Sequence, residues 1–369
     1  MEAEEGKEDE VMSEIHLGCP PDAKSHFTRF TILPSVLPST NPLTGDFQEN
    51  TNSNCLSNEG EASSCQRLLV DKEGDLVLAR RKQNPHNVRH AHDSILIHHH
   101  IITVIPSVGL QIWRASLILA DFIIHFIHTS SYFNNVVALE LGAGTGLVGI
   151  LLARAASTVF ITDKGNAILD NCLHNVELNM HTFKHNEKSV RVRQLDWQDS
   201  WPPKEVQTEE SLTIYKYKYS WTSSDIKEAE KVSVLLAADV VYSDELTEAF
   251  FKVLQELMPL GSKKVLFLSL EKRYNFTMED LDIVAHGHQY FRTFIAEEVP
   301  ESKITGCARA QPGQREPGIS NPHFIGKRFD MATIPQYIRE YDRGGDTELW
   351  EIRAQPQALL HEEYVTMGI

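Results

Sequence analysis

The sequence predicts an α/β protein whose parallel sheet carries helices on both faces. Three observations lead there. Strands and helices alternate from residue 136 onward, a glycine-rich turn follows the first of those strands, and 41% of the residues are apolar, enough for a sizeable core. Residues 136–141 have the length and β-branching of a buried strand, and 147–156 then read as a helix. Further strands are expected at 158–162, 190–195, 232–241 and 264–270, with helices at 166–180, 244–258 and 277–291. The sequence shows no internal repeat.

Upstream, the composition changes near residue 66. Residues 1–65 are acidic and rich in Ser, Asn, Pro and Gly, which predicts little order beyond a short strand at 27–33. LLVDKEGDLVLARR, residues 68–81, predicts a β-hairpin within an extension spanning 66–108; the main domain is expected at 109–355 and a flexible tail at 356–369. A formal charge of -16 makes the chain a poor binder of phosphate backbones and a better partner for basic molecules. Five cysteines without CxxC spacing predict a reducing compartment. The start, MEAEEGKEDE, predicts no signal peptide, and the apolar run 117–127, broken by Asp121, predicts no membrane span.

The glycine turn lies in ALELGAGTGLVGI, residues 138–150. Gly142, Gly144 and Gly146 can take positive φ and let the backbone approach a ligand, with free N–H groups expected at the helix start. The dinucleotide pattern G-x-G-x-x-G fails from Gly142, where Leu147 replaces the last glycine. Counted from Gly144, GTGLVG satisfies it, so the turn alone leaves a dinucleotide open. A phosphate loop would carry Gly-Lys-Ser/Thr, and none follows. The other candidate ligand is a nucleoside bearing an amino acid in place of phosphates. Glu140 can reach an ammonium or organise the loop, and Asp163 stands where an acidic residue takes ribose hydroxyls, or where one caps the next helix.

Glu140-Leu-Gly142-Ala-Gly144-Thr-Gly146 resembles the first motif, E-x-G-x-G-x-G, of the seven-strand S-adenosylmethionine-dependent methyltransferases. GLQIWRASLILADFI (109–123), Thr162-Asp163, LDW (195–197) and ADVVY (238–242) are similar, in order and spacing, to the protein lysine methyltransferase branch called family 16. The likeness covers residues 68–355 and is weakest over 300–334. It implies a seven-strand Rossmann-like sheet, S-adenosylmethionine as methyl donor and a lysine side chain of another protein as acceptor. It also implies that Trp113 lies against the cofactor, that Trp197 covers the adenine and that Ala238 is small to admit the ligand. An aromatic face suits a purine; the bland reading of both tryptophans is core packing.

The acceptor side rests on Asp239-Val-Val-Tyr242. A lysine amine attacks only after losing its proton, and a neighbouring sulfonium favours the neutral form. Asp239 can orient the amine and ease proton departure, while Tyr242 offers an alkylammonium a π-rich wall. Adenine- and glutamine-directed relatives of this fold carry Asn-Pro-Pro-Tyr here, and its absence points away from nucleic-acid methylation. An RNA or small-molecule methyltransferase on the same fold, and a catalytically silent binding module, stay open. The expected partner is a basic protein presenting a lysine, with no direct nucleic acid, no membrane and a monomeric chain. The resemblance further implies a nuclear location, with the cytoplasm also open, and a nucleic-acid-associated target.

Other features carry less. His98-His99-His100 predicts no metal site, since strand neighbours alternate faces and no cysteine or carboxylate stands at ligand spacing. IYKYKYSW, residues 214–221, interleaves lysine and tyrosine; it can stack on single-stranded nucleic acid or flank a substrate entrance, but an exposed insertion is the expectation. The sequon Asn275-Phe-Thr277 is expected to remain bare.

Overall fold

A computed structural model describes residues 10–15, 23–34, 93–185, 189–206, 218–277, 282–298 and 323–355. In chain order they form β1 (Glu10–Met12), β2 (Ser25–Ile32), β3 (Asp93–His100), β4 (Ile102–Val104), a 3-10 turn (Ile105–Leu110), α1 (Arg114–Thr129), β5 (Val137–Leu141), α2 (Leu147–Leu152), β6 (Thr158–Asp163), α3 (Asn166–Asn179) and β7 (Val190–Gln194). There follow β8 (Glu205–Val206), β9 (Trp221–Thr222), α4 (Ser223–Ala229), β10 (Val234–Ala238), α5 (Asp244–Leu257), β11 (Val265–Glu271), β12 (Asn275–Thr277), β13 (Asp282–Val284), α6 (His286–Thr293), β14 (Ile295–Glu297), β15 (Phe324–Arg328) and β16 (Thr347–Ala354).

The main sheet runs β14-β15-β16-β11-β10-β5-β6-β7. β7, β6, β5, β10 and β11 are parallel, and β16 enters antiparallel between β11 and β15. Seven strands match the expectation; the three-residue β14 adds an eighth by pairing with β15. The chain leaves β5 outward to β6 and β7, then returns to lay β10 on the other side of β5. That reversal opens a crevice at the carboxyl ends of β5 and β10, where ligands of such sheets bind.

Alternation along the strands splits the core in two. Ala138, Val234, Leu236 and Phe267 pack with α1, α2 and α3, whereas Leu139, Leu235, Leu266 and Leu268 pack with Phe250, Phe251 and Leu254 of α5 and Phe291 of α6. Each Val, Leu or Phe among them contributes about 1.5–3 kcal/mol when fully buried. The stretch Ile105–Thr129 is long and apolar enough by composition to cross a bilayer. Residues 117–124 are instead buried within the protein. Asp121, in the middle of that run, is fully buried, and its carboxylate accepts from the Tyr337 and Ile338 N–H groups (2.8 Å each), from Arg343 Nη2 (2.8 Å) and from the Tyr341 hydroxyl. The acidic break in the apolar helix thus docks the segment before β16.

β3 is tied to α3 by a ladder of asparagines. Asn175 and Asn179 each accept from and donate to one β3 residue, His98 and Leu96 respectively, at 2.7–3.0 Å, and Asn171 donates to the His98 carbonyl at 3.1 Å. Residues four apart on a helix rise about 6 Å, close to two residues of strand, so the amides replace a missing strand partner.

Several expectations need correction. Two strands, β1 and β2, form where little order was predicted, although β2 covers most of the expected 27–33. They and β3 belong to the same compact unit as the main sheet. The predicted helix 277–291 is the antiparallel pair β12 and β13 followed by the shorter α6, because Thr277, Ile283 and Val284 are β-branched and suit a pleated surface. Helix 147–156 shortens to Leu147–Leu152, and the strand at 232–241 ends at Ala238, since Asp239 takes φ +60°. His99 faces the interior and bonds Thr28 Oγ1 at 2.8 Å, with burial lowering its pKa to about 4. Tyr219 and Trp221, expected in an exposed insertion, are buried, Trp221 stacked on Phe160. The hairpin at 68–81 and residues 214–217 lie outside the described residues.

Candidate functional site

The crevice holds a cavity of about 450 Å³, within the usual range of small-molecule sites. Its walls include every predicted site residue except Gly146, which sits one turn behind at the start of α2.

The floor is the turn after β5. Gly144 takes φ +54°, and a Cβ there would stand 2.8 Å from the Gly109 carbonyl oxygen, so only glycine fits. Gly142, at φ +66°, lies under the Trp197 ring, 3.0 Å from where its own Cβ would be. Three amides of the turn are already paired: Ala143 donates to the Thr162 carbonyl (2.9 Å), Gly144 to Asp163 Oδ2 (2.7 Å) and Gly146 to the Ala143 carbonyl (2.9 Å). A phosphate cradle needs such amides open. Their internal pairing disfavours a dinucleotide and suits a nucleoside without phosphates.

Two carboxylates organise this floor. Glu140 is buried and accepts from the Gly149 N–H at 2.8 Å; burial, then the Asp163 charge, pushes its pKa up to about 8. Of its two predicted roles the geometry supplies the second, holding the loop. Asp163 ends β6, takes the Gly144 and Lys164 N–H groups at 2.7 Å each, and is pushed up to about 6 by burial. A carboxylate has about four acceptor directions, so two remain for ribose hydroxyls. Asp163 is therefore not the side-chain cap of α3, whose N-cap is Gly165. Trp197 follows β7, braced edge-on by Phe250 at 5.2 Å, and Trp113 stands just before α1 with its indole N–H donated back to the Val108 carbonyl at 3.1 Å. Glycine turn, acidic residue and two aromatic faces together can hold S-adenosylmethionine.

The acceptor side lies across the cavity at the end of β10. Ala238 leaves space there, and Tyr242, 47% exposed, stands at the mouth. Asp239 is 8% exposed and donates its N–H to the Ser269 carbonyl at 2.9 Å. Its carboxylate is already engaged: Arg273 Nη1 donates to Oδ1 at 2.6 Å and Nη2 to Oδ2, a two-pronged pair. The guanidinium also lies over the Trp113 ring, 5.1 Å from its centroid. Nothing in the sequence singles out Arg273, which the fold alone brings to this carboxylate. Behind it, Glu271 pairs with Arg114, and Glu14 accepts from the Arg114 N–H at 2.8 Å. Burial and the adjacent Glu14 push Glu271 up to about 7, against the pull of Arg114 and Arg273.

Gln111 was also missed. It lines the cavity while its amide accepts from Ser13 N–H (2.5 Å) and donates to the Val11 carbonyl (2.8 Å) and Thr103 Oγ1 (2.6 Å). The N-terminal segment is thereby fastened to the cavity wall.

A parallel sheet with one reversed strand, a glycine turn at its switch point and an acidic-aromatic edge beside that turn define the Rossmann-like methyltransferase class. Residues 92–216 match the family model described as lysine methyltransferase. It is 32% identical to methyltransferase-like protein 22 of Homo sapiens over 78% of this chain and 63% of that one, and 32% identical to the Mus musculus protein of the same name over 79% and 66%. The chain thus spans just under two thirds of the length of these relatives. Protein N-lysine methyltransferase METTL21A of Xenopus tropicalis is 29% identical over 48% of this chain and 67% of that one. A partial structural likeness, TM-score 0.34 at 9% identity, relates 64% of this chain to 88% of a TehB-like SAM-dependent methyltransferase from Corynebacterium glutamicum. The class rests on strand order and site, not on that likeness.

Proposed function

We propose that the protein is an S-adenosylmethionine-dependent N-methyltransferase acting on lysine side chains of another protein. The observation that carries this reading is the placement of Asp239 and Tyr242 in the same cavity wall as the glycine turn, Asp163 and Trp197. When bound, S-adenosylmethionine supplies a methyl carbon that passes to an amine lone pair as the carbon–sulfur bond breaks, its electron pair stays with sulfur and the amine gives up a proton. Asp163 and Trp197 hold the nucleoside. Asp239 accepts a hydrogen bond from the incoming amine and aims it, and the Tyr242 ring guards the alkyl stem. Position counts for more than acid strength here.

The acidic chain supports a basic, lysine-presenting protein as the partner. A nuclear location, a nucleic-acid-associated target and a monomeric chain belong to the same proposal, on resemblance alone for the first two. One observation favours a second reading, a cofactor-binding module without transfer: Arg273 occupies Asp239 from both oxygens. Incubating the purified chain with methyl-labelled S-adenosylmethionine and cell extract separates these. The proposal expects label on protein lysines, removed by protease and untouched by nuclease. Label removed by nuclease would make it an RNA enzyme, and cofactor binding without any label would favour the silent module.

A further inference from the structure

Arg273 is the one cation bonded to the acceptor carboxylate among the described residues, and its placement bears on the protonation of the acceptor. This inference rests on the proposed lysine transfer. Asp239 sits at positive φ directly after β10, a backbone conformation an aspartate adopts at some cost. Its side chain is held there by the fork of Arg273, and Arg273 is in turn fixed by the Trp113 ring. The charged groups around the guanidinium are Asp239 after β10, Glu271 at the end of β11 and Glu14 from the N-terminal segment, with Arg114 of α1 bonded to both Glu271 and Glu14. On the cavity side the titratable and charged groups are Tyr242, which interacts with Asp239, and Glu140, Asp163, Lys164 and Asp196 elsewhere in the wall.

A bare carboxylate beside a lysine amine creates a chemical difficulty. It stabilises the ammonium form, which has no lone pair to give, and so opposes the reaction it is placed to assist. A guanidinium that already spans both carboxylate oxygens cancels most of that field while leaving acceptor directions open to orient the amine.

We propose that Arg273 is a positioning residue that neutralises Asp239, so that the pair aims the substrate lysine without trapping it as an ammonium ion. Arginine suits this task because it does not lose its charge near neutral pH and its planar fork fixes the carboxylate plane, which a lysine in its place could not do.

The test is the pH dependence of kcat for the full chain and for Arg273→Gln and Arg273→Lys, with S-adenosylhomocysteine affinity measured alongside. In Arg273→Gln the rising limb of the profile moves to higher pH by about one unit or more. Arg273→Lys keeps the charge and leaves the limb near its original place, with kcat lowered roughly tenfold by lost alignment. Cofactor affinity stays within about threefold in both, since Arg273 does not line the cavity. A Gln variant with an unmoved limb overturns the proposal, whether its KM falls, as for a plug, or its kcat falls, as for a merely structural contact. Loss of cofactor binding in both variants also overturns it. A wild-type chain that methylates no protein overturns the functional reading and the positioning role together, which distinguishes that failure from the others.

Discussion

The Gly144 N–H donates to Asp163 Oδ2 at 2.7 Å, so the turn after β5 and the carboxylate ending β6 form one hydrogen-bonded unit. The bond joins strands adjacent in the sheet and closes the floor of the cavity. Perturbing either end should be felt first as lost cofactor affinity.

Gly144→Ala is the sharpest probe of the floor. A methyl group there meets the Gly109 carbonyl oxygen at 2.8 Å, and the residue must keep φ +54°. Left-handed backbone costs a non-glycine residue about 1–2 kcal/mol, and relieving the clash opens the turn. Isothermal titration should show S-adenosylhomocysteine binding weakened more than about tenfold, whereas the same substitution at Gly345, where a Cβ meets nothing within 4 Å, should leave it unchanged.

Cofactor affinity should depend on pH through Asp163. Burial holds its carboxyl up to about 6, and hydroxyl donors need the carboxylate form. Binding therefore tightens as pH rises through 6 and levels off above about 7, with roughly a tenfold loss per unit below 6. Asp163→Asn should bind weakly and flatten the profile between pH 5 and 8. A wild-type profile that is already flat would remove Asp163 from the ligand's contacts.

Asp239→Ala should abolish transfer while leaving cofactor affinity within about threefold, because the carboxylate faces the acceptor edge and Arg273, not the glycine turn. Rapid-quench transfer assays and titration on the same preparation would check it. Loss of the cofactor along with activity would place Asp239 on the nucleoside instead.

Asp121→Ala should be among the most destabilising single changes in the chain. It strands Arg343 and the Tyr337 and Ile338 N–H groups at a fully buried position. Removing one partner of such a buried cluster costs about 3–5 kcal/mol, against about 2 kcal/mol for Tyr341→Phe, which removes one hydroxyl donor. Urea denaturation of the two variants would rank them, and the opposite order would show that the carboxylate is not the anchor.

Much of this was legible from residues 136–271. β5, β6, β7 and β11 lie within a residue or two of their expected bounds because strands of a parallel sheet read as short runs, apolar where both faces are covered and alternating in the half-exposed β7, and α5 begins where Ser243 and two acidic residues announce a helix start. The pairing of Asp239 with Arg273 was not legible, since it joins the ends of neighbouring parallel strands 34 residues apart. The asparagine ladder did leave a trace. Three asparagines at positions 171, 175 and 179 share one face of a helix they do not favour, a pattern that asks for a partner. Glu140 shows the opposite limit: the motif located it, while its bond to Gly149 settles what it holds.

The most direct test is a crystal structure of the chain with S-adenosylhomocysteine. The account predicts ribose hydroxyls on Asp163, adenine against Trp197 and the sulfur directed toward the edge that carries Asp239 and Tyr242. The ligand seated elsewhere, or a glycine turn closed against it, would contradict the account.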